Sequence, residues 1–334
     1  MMPSDLDLYK TLSVPNLKNI TELLYATIIV TGNYERQELN RLVASMWAHN
    51  FGTHVIRWKK KIKYDQWKGR PHTNEALKEA EQQACFYELF VPMCPAYLTH
   101  NVNLDAELAN GTSIREHSLA FDSKEDKILL DRLVRTTPVG GTIDLPSPPT
   151  AINVEIYPDF HGDTKEMLSK KTAKRRDWTR GSIVNDGRII IPIDKRTGTY
   201  QTESIRACGQ LFHFRASTVP MADSFPIELG FCITVPKAQG RTIHKLIASI
   251  SEHPCKFLQI QWESLYVLLS RIQERSDLSL LLQLGNRNTL QYISKLKKDP
   301  YTASYFAGFP KESSDEIVYW DETLAAKEAG FLGR

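Results

Sequence analysis

The stretch Phe231–Ile250, FCITVPKAQGRTIHKLIASI, constrains the fold more than any other part of the chain. Its first five residues, Phe231 to Val235, are all apolar or β-branched, the length and type of a strand buried on both faces of a parallel sheet. Pro236 has no N–H to give to a ladder and ends that strand. After Lys237-Ala238-Gln239-Gly240, the apolar residues Ile243, Leu246, Ile247 and Ile250 recur at helical spacing and predict an amphipathic helix. Strand, tight polar turn and helix make one α/β unit. In open α/β sheets such a turn lies at the carboxyl end of a strand, where ligands bind. Lys237, Gln239, Gly240, Arg241 and Thr242 bring a cation, an amide, close backbone approach and a hydroxyl to that place, groups that suit phosphates.

A second unit of the same kind stands near the start. Tyr25–Thr31 (YATIIVT) reads as a strand ended by Gly32-Asn33, and Tyr34–His49 as a helix with Leu39, Leu42, Val43 and Met46 on one face. Thr31 and Asn33 sit at its turn. Residues 1–20 are a lead-in, with a short helix expected around Asn16–Leu24. Arg57–Tyr64 (RWKKKIKY) interleaves cations with aromatic residues, and Trp67 follows. Lys59, Lys60 and Lys61 would grip phosphates and Trp58 would stack on a base, the composition of a single-strand nucleic-acid surface. An edge strand carrying lysines against aggregation has the same composition.

Farther on, Asn74–Ala84 reads as a polar helix, Phe86–Met93 and Ala96–Val102 as strands, and Asn110-Gly111 as a turn. From 119 to 225 short β-like pieces (Ala151–Tyr157, Ile189–Ile193, Leu211–Ala216) alternate with loops such as Pro138–Thr150 and the basic Lys170–Arg180. Strands at such intervals predict a small β-barrel inserted into the α/β domain. Phe257–Ile272 ends in a dense apolar stretch closed by Ser270-Arg271, Arg287–Leu296 reads as a helix, and 299–334 as a polar tail. No internal repeat is evident.

Composition bounds the function classes. Apolar residues make up 42% and charged residues 24% of 334, ordinary for a globular chain of one large or two average domains. No apolar run reaches membrane-spanning length and MMPSDLDLYK lacks an apolar signal core, so no membrane partner is expected. Five scattered cysteines, never spaced CxxC, argue for reduced thiols and against a zinc site or disulfide frame. A net charge of +3 says less about a polyanion partner than the clustering of the cations does. His213 and His244 are isolated, and the acidic residues have no metal-ligand spacing.

YATIIVTGNYERQELN, LANGT, and ITVPKAQGRT followed by LYVLLSR occur in that order. Together they resemble the C-terminal half of a superfamily-one helicase of the Pif/RecD branch. That family has a T-V-H-K-S-Q-G-x-T motif and then Y-V-A-L-S-R in its second RecA-like domain. Here they appear as Thr234–Thr242 and Tyr266–Arg271, with Asn110–Thr112 matching a preceding N-G-T. The resemblance covers residues 20–275. It implies a RecA-like parallel sheet flanked by helices, built from 21–118 and 226–298, with 119–225 as an inserted Src-homology-3-like barrel.

The implied roles follow residue by residue. Arg271 would be an arginine finger reaching the γ-phosphate of an NTP held mainly by another domain, stabilising transition-state charge. Gln239 and Gly240 would line the phosphate side of that cleft. Thr234 and Lys237, with Thr31 and Asn33, would hold the nucleic-acid backbone, contacts that are sequence-independent and salt-sensitive. ATP and Mg²⁺ would enter only with the missing N-terminal RecA-like half, in cis or in trans. The partner would be single-stranded or forked DNA, with RNA left open, in an intracellular setting, nuclear or mitochondrial.

Each residue also has a plainer reading. Arg271 could be a cation at a helix end, Thr234 a β-branched strand residue, Asn110-Gly111 a hairpin turn. Two departures stand out. Pro236 replaces the family's histidine and removes a donor. No G-x-x-x-x-G-K-[ST] occurs, nor an early Asp-Glu pair, and Gly140-Gly141 lacks the phosphate lysine. The sequence therefore leaves a helicase half beside a non-catalytic single-strand-binding module, an inactive helicase relic, or a structural protein that keeps only the fold.

Overall fold

The computed structural model describes residues 10–13, 21–63, 86–104, 108–156, 183–185, 188–199, 204–207, 210–213, 221–250, 259–282 and a few positions from 292 to 323. In chain order, β1 (Lys10–Ser13) and a 3-10 turn (Thr21–Leu24) lead to β2 (Thr27–Val30) and α1 (Asn33–Asn50). Then come β3 (Val55–Lys59), β4 (Lys61–Lys63), β5 (Tyr87–Phe90), β6 (Pro95–Leu98), β7 (Ser113–Ala120) and α2 (Lys124–Thr136). The middle holds β8 (Thr142–Asp144), β9 (Ala151–Ile156), β10 (Ile183–Asn185), β11 (Arg188–Asp194), β12 (Arg196–Thr199), β13 (Ser204–Ala207) and β14 (Gln210–His213). The last part holds β15 (Met221–Ser224), β16 (Ile227–Leu229), β17 (Cys232–Thr234), α3 (Val235–Ala238), β18 (Leu246–Ser249), α4 (Trp262–Leu269) and β19 (Leu278–Leu282). The chain divides into two units, Met1–Leu17 with Thr234–Arg334, and Lys18–Ile233.

The first unit is built on parallel pairing. β19 pairs in parallel with β1 on one side and β18 on the other, Leu12 opposite Leu281 and Ala248 opposite Leu280. Leu246, Ile247 and Ala248 of β18 and Leu280, Leu281 and Leu282 of β19 are successive buried residues, as a parallel strand covered on both faces requires. Two expectations are corrected here. The helix expected over Ile243–Ile250 is instead a strand at Leu246–Ser249, because a short apolar run buried all round carries no period that separates strand from helix. The lead-in contains β1, whose pairing with β19 is invisible in a four-residue segment read alone. Helices α3 and α4 pack together, and the Tyr292 hydroxyl donates to the Ile250 carbonyl at 2.6 Å.

The second unit is α/β at one end and β-rich for the rest. β2 lies beside β17, with Ile28 N–H donating to Phe231 O at 2.8 Å, and α1 packs on β2 through the buried Val43, Ala44 and Ala48. This strand–turn–helix unit is where the sequence placed it, with the helix running from Asn33 to Asn50. A six-stranded antiparallel sheet runs β10-β11-β9-β7-β6-β16, and a three-stranded sheet runs β5-β3-β8. Ile56, Trp58, Phe90, Leu98, Ile114, Ile152, Val154 and Phe225 make one core from both. A small sheet β12-β15-β4 and the hairpin β13-β14 complete the described part. Strand β7 runs through the boundary expected at 118/119, so the β-rich region draws on residues on both sides of it.

The region from 119 also holds a helix that its loop-rich composition did not suggest. Ser123 caps α2 by accepting from the amides of Glu125 and Asp126, and Leu130 and Leu133 pack against the core. At the entrance to β6, Val91–Cys94 makes a four-residue turn in which Cys94 N–H donates to Val91 O at 3.2 Å. Pro92 is its second residue and Met93, at φ 61, its third, a position that glycine usually takes. Glu116 of β7 holds this turn. Its Oε2 accepts from Val91 N–H at 2.7 Å and from the Cys94 thiol at 3.3 Å.

Of the helix expected at Asn16–Leu24, the described part, Thr21–Leu24, is a 3-10 turn, and 16–20 lies outside the described residues. The helix expected at Asn74–Ala84 and the basic loop Lys170–Arg180 lie outside the described residues. Among the described residues no helix is long and apolar enough to cross a membrane.

Candidate nucleotide and nucleic-acid site

The first unit gathers both late motifs. β17 ends at Thr234, and α3 follows at once with Pro236 in its first turn, where a missing N–H costs nothing. Arg241 N–H donates to Ala238 O, and Gly240 takes φ 74, so the chain turns sharply after Gln239. Nothing lies within 4 Å of where a Cβ on Gly240 would stand, and Gln239 and Gly240 are exposed.

Arg271 follows the last turn of α4 and lies against that polar turn. Ile243 N–H donates to Arg271 O at 2.8 Å, and Arg271 Nη1 donates to Arg241 O at 3.3 Å. Its Nε donates to Val267 O at 3.1 Å and Nη2 to Ser270 Oγ at 2.9 Å. The guanidinium thus sits at the carbonyl end of α4, where the helix dipole favours a cation, with one donor on the motif turn. Residues thirty apart in sequence are joined there. Thr234 and Lys237 are half-buried on the same turn, and Thr234 makes no side-chain cap to α3.

Thr31, Asn33 and the basic segment belong to the second unit. Thr31 is half-buried after β2, and Asn33 is the exposed first residue of α1. Asn40, one of the buried polar residues that the sequence did not single out, clamps the strand leading to the motif. It donates to Cys232 O at 3.0 Å and accepts from Cys232 N–H at 2.8 Å. Nearby the buried Arg36 pairs with Glu228, and burial pulls the Arg36 pKa down. A polar residue on the apolar face of a predicted helix, four after Arg36, was the available signal.

The basic segment is divided by strand alternation. Trp58 is only 1% exposed and donates to Glu88 Oε2 at 2.7 Å, so it is a core residue and not a base-stacking one. The pleat sends every second side chain inward, which a composition reading of RWKKK cannot see. Lys60 N–H donates to Phe86 O, and its half-buried side chain acts on Glu88, whose carboxyl is pushed up by burial and partly drawn back by Lys60. Lys59 and Lys61 are exposed. On the outer side, Arg57 lies 4.7 Å over the Tyr87 ring and Lys59 lies 5.9 Å from it. Asp144 holds Arg57 with two hydrogen bonds, of 2.5 and 3.1 Å.

Asn110–Thr112 forms a turn between β6 and β7. Gly111, at φ 92, donates to Leu98 O, and Thr112 Oγ1 accepts from Ala109 N–H. This is the hairpin-turn reading of that segment.

No family model and no curated relative matches this chain. Solved structures that match it include helicases. They include a Pif1 helicase from Candida albicans, 15% identical, covering 88% of this chain and 54% of that one with a TM-score of 0.44. Pif1 from Bacteroides with ADP-AlF3 and ssDNA matches at 14% identity, 84% and 45% coverage and a TM-score of 0.41. Bacteroides Pif1 bound to ssDNA matches at 13%, 76% and 40%, with a TM-score of 0.38. The chain spans about half the length of these structures.

Proposed function

We propose that this chain supplies the second motor domain of an ATP-dependent DNA helicase, with Arg271 as the arginine finger and the Gln239–Gly240 turn as the outer wall of the phosphate cleft. One observation carries the reading: Arg271, at the end of LYVLLSR, donates to the backbone of the KAQGR turn. Two motifs that are each weak alone become one surface. When a nucleotide arrives, the Arg271 donors now spent on Val267 O and Ser270 Oγ would be exchanged for a γ-phosphate oxygen.

The donor set fits the far side of a phosphate group. It does not fit a metal: among the described residues no group of three His, Cys, Asp or Glu could hold an ion. Mg²⁺ and the phosphate-cradling lysine would come from a second RecA-like half, in cis or in trans. Thr234, Lys237, Thr31 and Asn33 would hold the backbone of a single or forked DNA strand.

The test is reconstitution with a half that carries a G-x-x-x-x-G-K-[ST] loop. DNA-stimulated ATP hydrolysis is expected, falling roughly 10³-fold or more with Arg271→Ala. An assembled pair with no stimulated hydrolysis, or one indifferent to Arg271→Ala, overturns the reading. A second reading, strand binding without catalysis by a module or helicase relic, is favoured by the exposed Lys59 and Lys61 and by Arg271 already having protein partners.

A further inference from the structure

We propose that the outer face of β3 and β5 is a platform for one nucleic-acid strand, with Tyr87 as its base-stacking ring and Lys59 and Lys61 as its phosphate grips. The inference rests on the nucleic-acid reading above and names a surface for it in the second unit. Register places the parts: Lys59 stands directly opposite Tyr87, and Arg57 opposite Leu89, on the antiparallel β3–β5 pair. Arg57 and Lys59 therefore share the face that Trp58 does not.

The two cations on this ring differ. Arg57 is fixed by both Asp144 oxygens and lies 4.7 Å over the ring, so it backs Tyr87 and its charge is already answered. Lys59 is exposed, and its ammonium, at 5.9 Å, is at the outer limit of a useful cation–π contact of about 6 Å. Moving it from the ring to a phosphate gives up little and uncovers ring surface for a base. Lys61, exposed at the start of β4, follows Lys59 by two residues, within chain reach of a neighbouring phosphate of the same strand. Arg57 engages Asp144, whereas Asp223 stands directly opposite Lys61 and accepts from the neutral Thr197 hydroxyl there, so Lys59 is the less screened of the two grips.

Behind this face the strand is anchored. Trp58 is packed edge-on against Phe225 and hydrogen-bonded to Glu88, so the platform is held by a core residue between Arg57 and Lys59 in sequence. A ring flanked by cations on a rigid strand suits sequence-tolerant binding of a single strand.

The test is fluorescence anisotropy of a labelled oligothymidine with the full chain over a salt series. Tyr87→Ala should weaken binding roughly 5- to 100-fold and leave the salt slope unchanged. Tyr87→Phe keeps the ring and should bind as wild type. The double variant Lys59→Gln, Lys61→Gln should lower the slope of log K against log salt by about 1.4, two single-strand contacts. Thermal melting checks that each variant folds; if Tyr87→Ala does not, Tyr87→Phe and the lysine pair decide. Wild type that binds, with every variant matching it, refutes the platform and leaves the nucleic-acid reading standing. Wild type that fails to bind at the lowest salt refutes both. A lysine effect with an unaltered Tyr87→Ala removes the stacking role.

Discussion

Glu116→Gln should abolish most of a pH dependence of stability that Glu116 builds into the β-rich unit. Its carboxyl is fully buried and its pKa is raised from 4.5 to about 8, first by burial, against hydrogen bonds from Val91 N–H and the Cys94 thiol. Below pH 4.5 both folded and unfolded chains carry the proton, and the group is neutral to the balance. Between 4.5 and about 8 the unfolded chain releases it while the folded chain keeps it, so stability falls as pH rises. Above about 8 the loss levels off. The gap of about 3.5 units corresponds to an upper bound on the order of 5 kcal/mol, since each pKa unit is worth about 1.4 kcal/mol. Glutamine has the same shape, accepts the same two hydrogen bonds, and cannot ionise. Urea unfolding at pH 5, 6.5 and 8 should show a wild-type midpoint that declines with pH and a Glu116→Gln midpoint that declines much less. Glu88, also raised by burial, leaves a residual slope of the same sign in the variant. Equal slopes in the two proteins would refute the reasoning.

Two further outcomes follow from buried contacts. Asn40→Ala removes both hydrogen bonds to Cys232 and leaves a buried strand N–H and C=O unpaired, costing about 1–3 kcal/mol. Hydrogen exchange should show it as faster exchange at the Cys232 amide. Trp58→Phe keeps a ring in the core but leaves Glu88 Oε2 without its Trp58 donor, while Oε1 still accepts from Phe225 N–H, costing about 1–3 kcal/mol in a urea titration while oligothymidine affinity stays unchanged.

The parts of the fold that were legible are those whose period differs from their neighbours. Thr27–Val30 and Cys232–Thr234 are β-branched or apolar runs cut off by Gly32 and Pro236, and α1 shows Leu39 and Val43 four apart. Leu246–Ser249 is not legible as a strand because Ile243, Leu246, Ile247 and Ile250 satisfy helical spacing, while all four are buried and a run buried all round shows no strand period. Lys10–Ser13 becomes a strand by pairing with Leu278–Leu282, across more than 260 residues that no local pattern spans. At the site, Arg271 and the KAQGR turn were readable because motifs in order predict contact. Trp58 was not, since RWKKK gives the composition of a surface without saying which side chains the pleat turns inward.

The pleat of β3 has a further consequence for how this segment can change. Single replacements alter one contact on one side. Losing or gaining one residue within Val55–Lys59 would instead exchange the sides, sending Arg57 and Lys59 into the core and Trp58 into water. Changes of length are therefore confined to the turn ahead of the strand, where Gly52 sits exposed at φ 67 with open space around it. The strand can drift in chemistry but not in count.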